Sequence, residues 1–308
     1  MSRIHVLPDD IEIDFDSDAG LLETLVNAGI PVVHLCGGRA RCSTCRVFVL
    51  EGLGALSERT PPEAEMAAKL DFPDVVRLAC QTTLNGSVSL RRLVLDKTDV
   101  RLASQLGKPE LGGAAGKEVD VAALFVDVVG YTKMAEDLPP YDIVHLLNRF
   151  FRQVDEVVAT NNGVIDNYMG DAVLVLFGLH DEDEPALAAV RAGFGILEAA
   201  RDLSHYVHRI YRMKFAVRVG IDYGEVVFGL MGASGSARET VIGDAVNVAS
   251  RLESANKDVG TNMLVSDAVY QRAAHAVSFG RRYELDLEGK AGRVVAHEAT
   301  SLGGSASG

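Results

Sequence analysis

Leu124-Phe125-Val126-Asp127-Val128-Val129-Gly130-Tyr131-Thr132 carries an apolar run into a single carboxylate and then directly into a turn. Such a run reads as a buried strand, so Asp127 stands at a strand end. Further on, Asn167-Tyr168-Met169-Gly170-Asp171-Ala172-Val173-Leu174-Val175-Leu176-Phe177-Gly178 reads as a strand, a tight turn carrying Asp171, and a second strand of apolar and β-branched residues. An Asp at each of two strand ends suits a hard cation, because Mg²⁺ takes oxygen ligands, usually one or two carboxylates plus substrate phosphates. Either aspartate alone reads more often as a turn former than as a ligand. In a third stretch, Thr240-Val241-Ile242-Gly243-Asp244-Ala245-Val246-Asn247-Val248-Ala249-Ser250-Arg251-Leu252-Glu253, Asn247 and Arg251 stand four apart on an expected helix and project from one face. Taken singly, they read as a cap and a surface salt bridge.

Outward from these blocks the pattern is that of a folded protein. The chain has 308 residues, enough for two domains of ordinary size. With 48% hydrophobic and 24% charged residues it falls outside the disordered class. The formal net charge of −13 argues against nucleic acid or an anionic membrane as the main partner, since a polyanion binder needs a basic face. No run approaches the roughly 18 apolar residues of a membrane span, and the N-terminus lacks an apolar signal core, so a cytoplasmic protein is expected.

Toward the N-terminus, Ile11-Glu12-Ile13-Asp14-Phe15 alternates as a half-buried strand should, a short helix fits Leu21 to Asn27 before Gly29 and Pro31, and Arg46 to Leu50 reads as a strand. All four cysteines, Cys36, Cys42, Cys45 and Cys80, lie in the first 80 residues with spacing C-x5-C-x2-C-x34-C. Glycines between the first two let a loop wrap tightly enough for backbone N–H groups to face sulfur. Without a secretion signal, this clustering points to metal or cluster ligation before disulfides, with structural zinc and buried free thiols as the alternatives.

Residues 98–118 lose apolar periodicity, contain Gly107, Pro109, Gly112, Gly113 and Gly116, and read as a linker. Beyond Asp127, the positions Ile143, Leu146, Leu147, Phe150, Phe151, Val154, Val157 and Val158 form a helical stripe ended by Asn161-Asn162-Gly163, and a second helix opens at Pro185. Phe215 to Ile221 and Val226 to Leu230 read as strands around Asp222-Tyr223-Gly224-Glu225. The resulting order, strand, helix, strand, strand, helix, strand, is the split-βαβ pattern, an α+β sheet with helices expected on one face. The Gly- and Ser-rich end, Gly303 to Gly308, reads as a disordered tail.

Together, the blocks holding Asp127, Asp171, Asn247 and Arg251 resemble the catalytic domain of the class III nucleotidyl cyclases, from about Val119 to about Thr300. The cysteine motif resembles that of [2Fe–2S] ferredoxins of β-grasp fold over residues 1–97, with the longer first loop of the adrenodoxin and bacterial branch. The resemblance implies a ferredoxin-type domain at 1–97, a linker at 98–118, a cyclase domain of ferredoxin-like βαββαβ fold at 119–300, and a tail at 301–308. It implies an adenylate cyclase that converts ATP to 3′,5′-cyclic AMP and pyrophosphate. Two Mg²⁺ or Mn²⁺ ions would sit on Asp127, Asp171 and the carbonyl of Val128; the segment Val129, Gly130, Tyr131 and Thr132, together with Lys290, would take phosphate oxygens. Asn247 would orient the ribose and Arg251 would meet charge on the α-phosphate. Because the family draws metal ligands and transition-state residues from opposite protomers, a homodimer is implied. One [2Fe–2S] cluster on Cys36, Cys42, Cys45 and Cys80 is implied as well, with a possible redox partner and control of the cyclase by the cluster.

The base-selecting positions of the resemblance are Asn167 and Thr240. Adenylyl cyclases of the class commonly carry Lys at the first and Asp or Thr at the second, and guanylyl cyclases Glu and Cys. Neither residue here supplies the carboxylate that guanine would favour, so ATP is expected, with weaker discrimination than in Lys-bearing relatives because a neutral amide replaces a charge-assisted donor. Glu288 occupies a usual lysine position of the C-terminal motif, which leaves Lys290 for the triphosphate. Two other readings stay open: a guanylate or relaxed-specificity cyclase, and an electron-transfer protein whose cyclase half is degenerate.

Overall fold

The computed structural model of the chain describes residues 2–15, 18–93, 116–180, 183–231, 238–288, 290 and 292–303. The chain divides into two compact units, residues 1–117 and 118–308. Most of the segment expected as a linker, residues 98–115, lies outside the described residues.

In the first unit β1 (Ser2–Leu7), β2 (Ile11–Phe15), β4 (Arg46–Glu51), β5 (Val76–Leu78) and β7 (Val88–Arg92) form one sheet in the order β2-β1-β7-β4-β5. The central pair β1 and β7 is parallel and the outer pairs are antiparallel. A minor pair, β3 (Ala19–Gly20) with β6 (Thr83–Leu84), brackets α1 (Leu21–Asn27), which buries Leu21 and Leu25 against Ile4, Val6, Val47 and Leu90. The helix stops where Gly29 takes a φ of 76°, the left-handed turn that glycine adopts without strain. A mixed sheet with one crossing helix is the expected β-grasp arrangement. A second helix, α2 (Pro61–Leu70), is started by the Thr60 hydroxyl, which accepts from the Glu63 N–H.

The second unit takes all but the first residue of β8 (Lys117–Val128) and continues with α3 (Tyr131–Asp137), α4 (Pro140–Thr160), β9 (Val164–Met169), β10 (Ala172–Phe177), α5 (Pro185–Tyr211) and β11 (Val217–Met231). It ends with β12 (Arg238–Ile242), α6 (Asp244–Val259), β13 (Met263–Ser266), α7 (Asp267–Ala273), β14 (Val277–Asp286) and β15 (Arg293–Leu302). The sheet runs β14-β15-β13-β11-β8-β10-β9, with β12 paired to β11. Four of its strands, β11-β8-β10-β9, are the interleaved βαββαβ core that the sequence pattern implies.

Helices cover both faces of this sheet, not one. Ala122, Leu124, Val126 and Val128 of β8 pack with Val173 and Val175 of β10 against Leu146, Phe150 and Val154 of α4 and Val190 and Ile196 of α5. The alternate residues, Val121, Ala123, Leu174 and Leu176, meet Ala245 and Ala249 of α6 on the other face. Both faces being dry is why β8 and β10 read as unbroken apolar runs.

Two further expectations are corrected. The residues Asp222-Tyr223-Gly224-Glu225 do not turn; they lie inside the single strand β11. Ladder pairing overrides their turn preference, because β11 runs parallel to β13 over Val219–Ile221 and antiparallel to β12 over Val227–Met231. The C-terminal strand also extends past residue 300, since Leu302 pairs with Val277, and of the expected tail 304–308 lies outside the described residues.

Candidate functional site

β8 and β10 are antiparallel neighbours with Val126 opposite Val173, so Asp127 and Asp171 come out at the same end of the sheet. The tight turn before Asp171 is made by Gly170 at a φ of 70°. The two carboxyl groups lie within hydrogen-bonding reach, and the Asp171 carboxyl is pushed up to about 6, first by burial and then by the hydrogen bond and repulsion from Asp127. Asp127 Oδ1 also accepts from the Val128 N–H at 2.9 Å. Two acids held together like this repel when both are ionised, and a divalent cation between them removes that repulsion. Among the described residues no three His, Cys, Asp or Glu side chains converge on one ion, so the pair supplies two protein carboxylates only.

A third acid near this pair was not picked out from the sequence. Glu253 on α6 is buried, and its carboxyl is pushed up to about 7, first by burial and then by Asp127. Its Glu follows Arg251 and Leu252 on an amphipathic helix, and nothing in that spacing marks it as facing β8. α6 sits so close to β11 that a Cβ on Gly220 would lie 2.1 Å from the Ala249 carbonyl oxygen.

Asn247 and Arg251 leave α6 on the side opposite its buried Ala245, Val248, Ala249 and Leu252. Among the described residues, nothing hydrogen-bonds either side chain. Val129 and Gly130 connect β8 to α3, which opens with Tyr131 and Thr132; Gly130 has a φ of 71°, no side chain caps the helix, and the Val129 N–H already donates to the Ala216 carbonyl at 2.9 Å, so of the expected phosphate-binding residues Val129 has no free amide. Lys290 is ion-paired with Asp244, the first residue of α6. Asn167 on β9 and Thr240 on β12 are brought into one neighbourhood by side-chain contacts between the two strands. Thr240 Oγ1 donates to Asp166 Oδ2 at 3.0 Å, and Arg238 Nη1 donates to Asn167 Oδ1 at 3.2 Å. Neither Asp166 nor Arg238 was singled out from the sequence, because their meeting depends on how two strands far apart in sequence are packed.

In the first unit, the four thiols fall into two pairs, Cys36 with Cys42 and Cys45 with Cys80. Left-handed backbone at Gly37, Gly38 and Ala40 curls the loop so that the N–H groups of Arg41, Arg39 and Cys42 donate to Cys36 sulfur. Burial raises the Cys36 thiol, yet these amides and the Cys42 thiol bring it below the ordinary value. Cys80 is drawn down to about 6, first by the hydrogen bond from Cys45, while Cys45 is raised by the same bond. Gln81 Nε2 lies 3.7 Å from Cys80 Sγ, and the Thr44 hydroxyl lies 3.1 Å from Cys42 Sγ. Pairs of thiols ringed by donors match the two-plus-two ligand set of a two-iron cluster better than one tetrahedral ion. Just before Cys80 in the chain, Arg77 makes two hydrogen bonds of 2.9 Å to buried Glu63, and Glu63 also accepts from the Leu78 N–H at 2.7 Å.

Comparison with known proteins agrees with this division. The adenylate and guanylate cyclase catalytic domain profile matches residues 114–299, and the 2Fe-2S iron-sulfur cluster binding domain profile matches residues 4–85. The chain is 32% identical over 242 residues to adenylate cyclase 1 of Rhizobium meliloti (strain 1021), covering 73% of this chain and 36% of that protein. It is 32% identical over 195 residues to an adenylate cyclase of Anabaena cylindrica, covering 63% and 38%. The chain thus spans little more than a third of the length of these relatives. Among solved structures, the guanylyl cyclase Cya2 superposes with a TM-score of 0.58 at 28% identity, covering 63% of this chain and 98% of that one. The adenylyl cyclase CyaB from P. aeruginosa gives 0.56 at 26%, covering 60% and 96%. No helix among the described residues is long and apolar enough to cross a membrane.

Proposed function

The chain belongs to the adenylate and guanylate cyclase catalytic domain family, and from that premise we propose that it converts ATP to 3′,5′-cyclic AMP and pyrophosphate in a homodimer. The observation that carries the proposal is the contact of Asp127 with Asp171 at the open end of the sheet. These carboxylates, with the carbonyl of Val128, would hold two Mg²⁺ or Mn²⁺ ions, which supply activation of the 3′-hydroxyl and neutralise the triphosphate.

The chain's own groups do the rest. The 3′-oxygen attacks the α-phosphorus, its proton leaves to solvent, and the bond to the bridging β-phosphate oxygen breaks to release pyrophosphate. Gly130 to Thr132 would receive phosphate oxygens on backbone N–H groups, the Val129 N–H being taken by the Ala216 carbonyl. Asn247 would hold the ribose, and Arg251 would meet the charge that grows on the α-phosphate. Since both side chains project away from their own β8, the second protomer supplies them to each site. Lys290 would reach the triphosphate by leaving Asp244. Asn167 and Thr240 would read adenine.

The first unit would bind one [2Fe–2S] cluster on its two cysteine pairs, and the state of that cluster would regulate the cyclase, with a redox partner delivering or removing the electron. The test is product formation by the full chain with Mg²⁺ or Mn²⁺ and either ATP or GTP. Cyclic AMP formation is expected, lost in Asp127→Ala and Arg251→Ala. A GTP preference overturns the substrate assignment. Equal rates in oxidised, reduced and cluster-free samples overturn the regulatory one.

A further inference from the structure

We propose that Gln81 sets the reduction potential of the first unit's cluster by aiming an amide N–H at the Cys80 sulfur, and that Thr60 is the positioning residue that keeps the amide turned that way. The inference rests on the [2Fe–2S] reading above and deepens it.

Gln81 follows Cys80 in the chain, and its side chain returns to that cysteine. Gln81 Nε2 lies 3.7 Å from Cys80 Sγ, and it donates to the Gly38 carbonyl at 3.1 Å and to the Cys80 carbonyl at 3.2 Å. Gly38 belongs to the loop between Cys36 and Cys42, where its backbone is left-handed at a φ of 85°. That loop passes against Cys80, since a Cβ on Gly38 would lie 3.7 Å from the Cys80 Cβ. One amide therefore ties the loop of the first cysteine pair to the last cysteine.

A glutamine amide is reversed by a half-turn, which here would set its oxygen against sulfur. Two contacts oppose the reversal. The Gly38 carbonyl only accepts, and the Thr60 hydroxyl donates to Gln81 Oε1 at 2.8 Å. The polarity of that hydroxyl is itself fixed: as the cap of α2 it accepts from the Glu63 N–H at 3.4 Å, so its proton is left for Gln81. The first turn of α2 is held in turn by the buried Glu63–Arg77 ion pair at 2.9 Å.

Reduction adds one electron, and part of its charge falls on the ligating sulfurs. An N–H aimed at such a sulfur stabilises the reduced form more than the oxidised one and raises the potential. Removing the donor, or reversing the amide, lowers it. This donor is a side chain, so a substitution takes it away and leaves the backbone donors of the loop in place.

Dye-mediated spectroelectrochemical titration of the anaerobically purified full chain reads the potential in the wild type, Gln81→Met, Thr60→Val, Thr60→Ser and the double variant Thr60→Val/Gln81→Met. Only the loaded fraction titrates, so the potential is independent of how much cluster a variant holds. Gln81→Met, of similar volume and without a donor, is expected to lower the equilibrium constant for reduction about ten-fold, which for one electron is about 59 mV. Thr60→Val should lower it in the same direction, and Thr60→Ser should keep the wild-type value. The double variant should match Gln81→Met alone, because Thr60 acts only through Gln81. A shift below about two-fold in both single variants overturns this inference and leaves the cluster standing. Substitution at Gln81 and at Thr60 that abolishes loading altogether overturns it too, since the two residues then serve assembly rather than potential. Shifts that add in the double variant overturn the positioning role of Thr60. A wild type without bound iron, sulfide and visible absorption overturns the cluster reading and this inference with it.

Discussion

At the scale of single residues, the acids at the end of the sheet are the sensitive point. Asp171 is raised to about 6 and Glu253 to about 7, both by burial first and by Asp127 next. A carboxyl raised above its unfolded value binds its proton more tightly in the fold, so its contribution to stability is present at low pH and lost as pH rises through the folded value. The metal-free protein is therefore expected to lose thermal stability between about pH 4 and pH 7. Asp171→Asn should flatten that decline. A cation competes with the same protons, so the apparent affinity for Mg²⁺ should weaken below about pH 6. Melting temperature followed across pH, with and without Mg²⁺, checks both; a metal-free melting curve that rises over this range would sink the account.

At the scale of elements, α6 is the part on which the second unit depends. It closes one face of the sheet through Ala245 and Ala249, buries Glu253 near Asp127, and presents Asn247 and Arg251 outward. Its position is set by the bare backbone of Gly220, where an added Cβ would lie 2.1 Å from the Ala249 carbonyl oxygen and 2.2 Å from the Glu253 nitrogen. Both clashes are with backbone, so the helix itself must move. Gly220→Ala should cost about 1–3 kcal/mol of stability by overpacking. It should also lower kcat by more than the loss of folded protein explains, because the arginine and asparagine move with the helix. Denaturant unfolding paired with rates normalised to folded protein tests this; an unaltered kcat would show that α6 tolerates the shift.

At the scale of the whole molecule, one chain carries one copy of each block, and its Asn247 and Arg251 face away from the sheet that holds its Asp127. If sites are shared between protomers, Asp127→Ala and Arg251→Ala are each inactive alone and complement each other when mixed. One of the two sites in a mixed dimer then holds only native residues. Random exchange should restore about a quarter of native activity. Activity that stays absent after verified subunit exchange argues against the shared site.

Much was legible in the chain itself because it is written in short-range periods. The apolar runs of β8 and β10, the stripe of α4, the helix at Leu21–Asn27 and the cysteine spacing are patterns a few residues long, and they indicated the two fold types and the candidate residues of both sites. Tertiary structure decided what depends on register and on opposite faces. β11 runs through Asp222–Glu225 as one strand paired with β13 at one end and β12 at the other, and α6 lies across the sheet from α4 and α5 because β8 is apolar on both faces. The cysteines pair two by two, and Lys290 meets Asp244. Most of all, Asp166 and Arg238 reach Thr240 and Asn167 across more than 70 residues of chain. A hydrogen bond between distant strands follows from the ladders that align them, and no local pattern encodes that alignment.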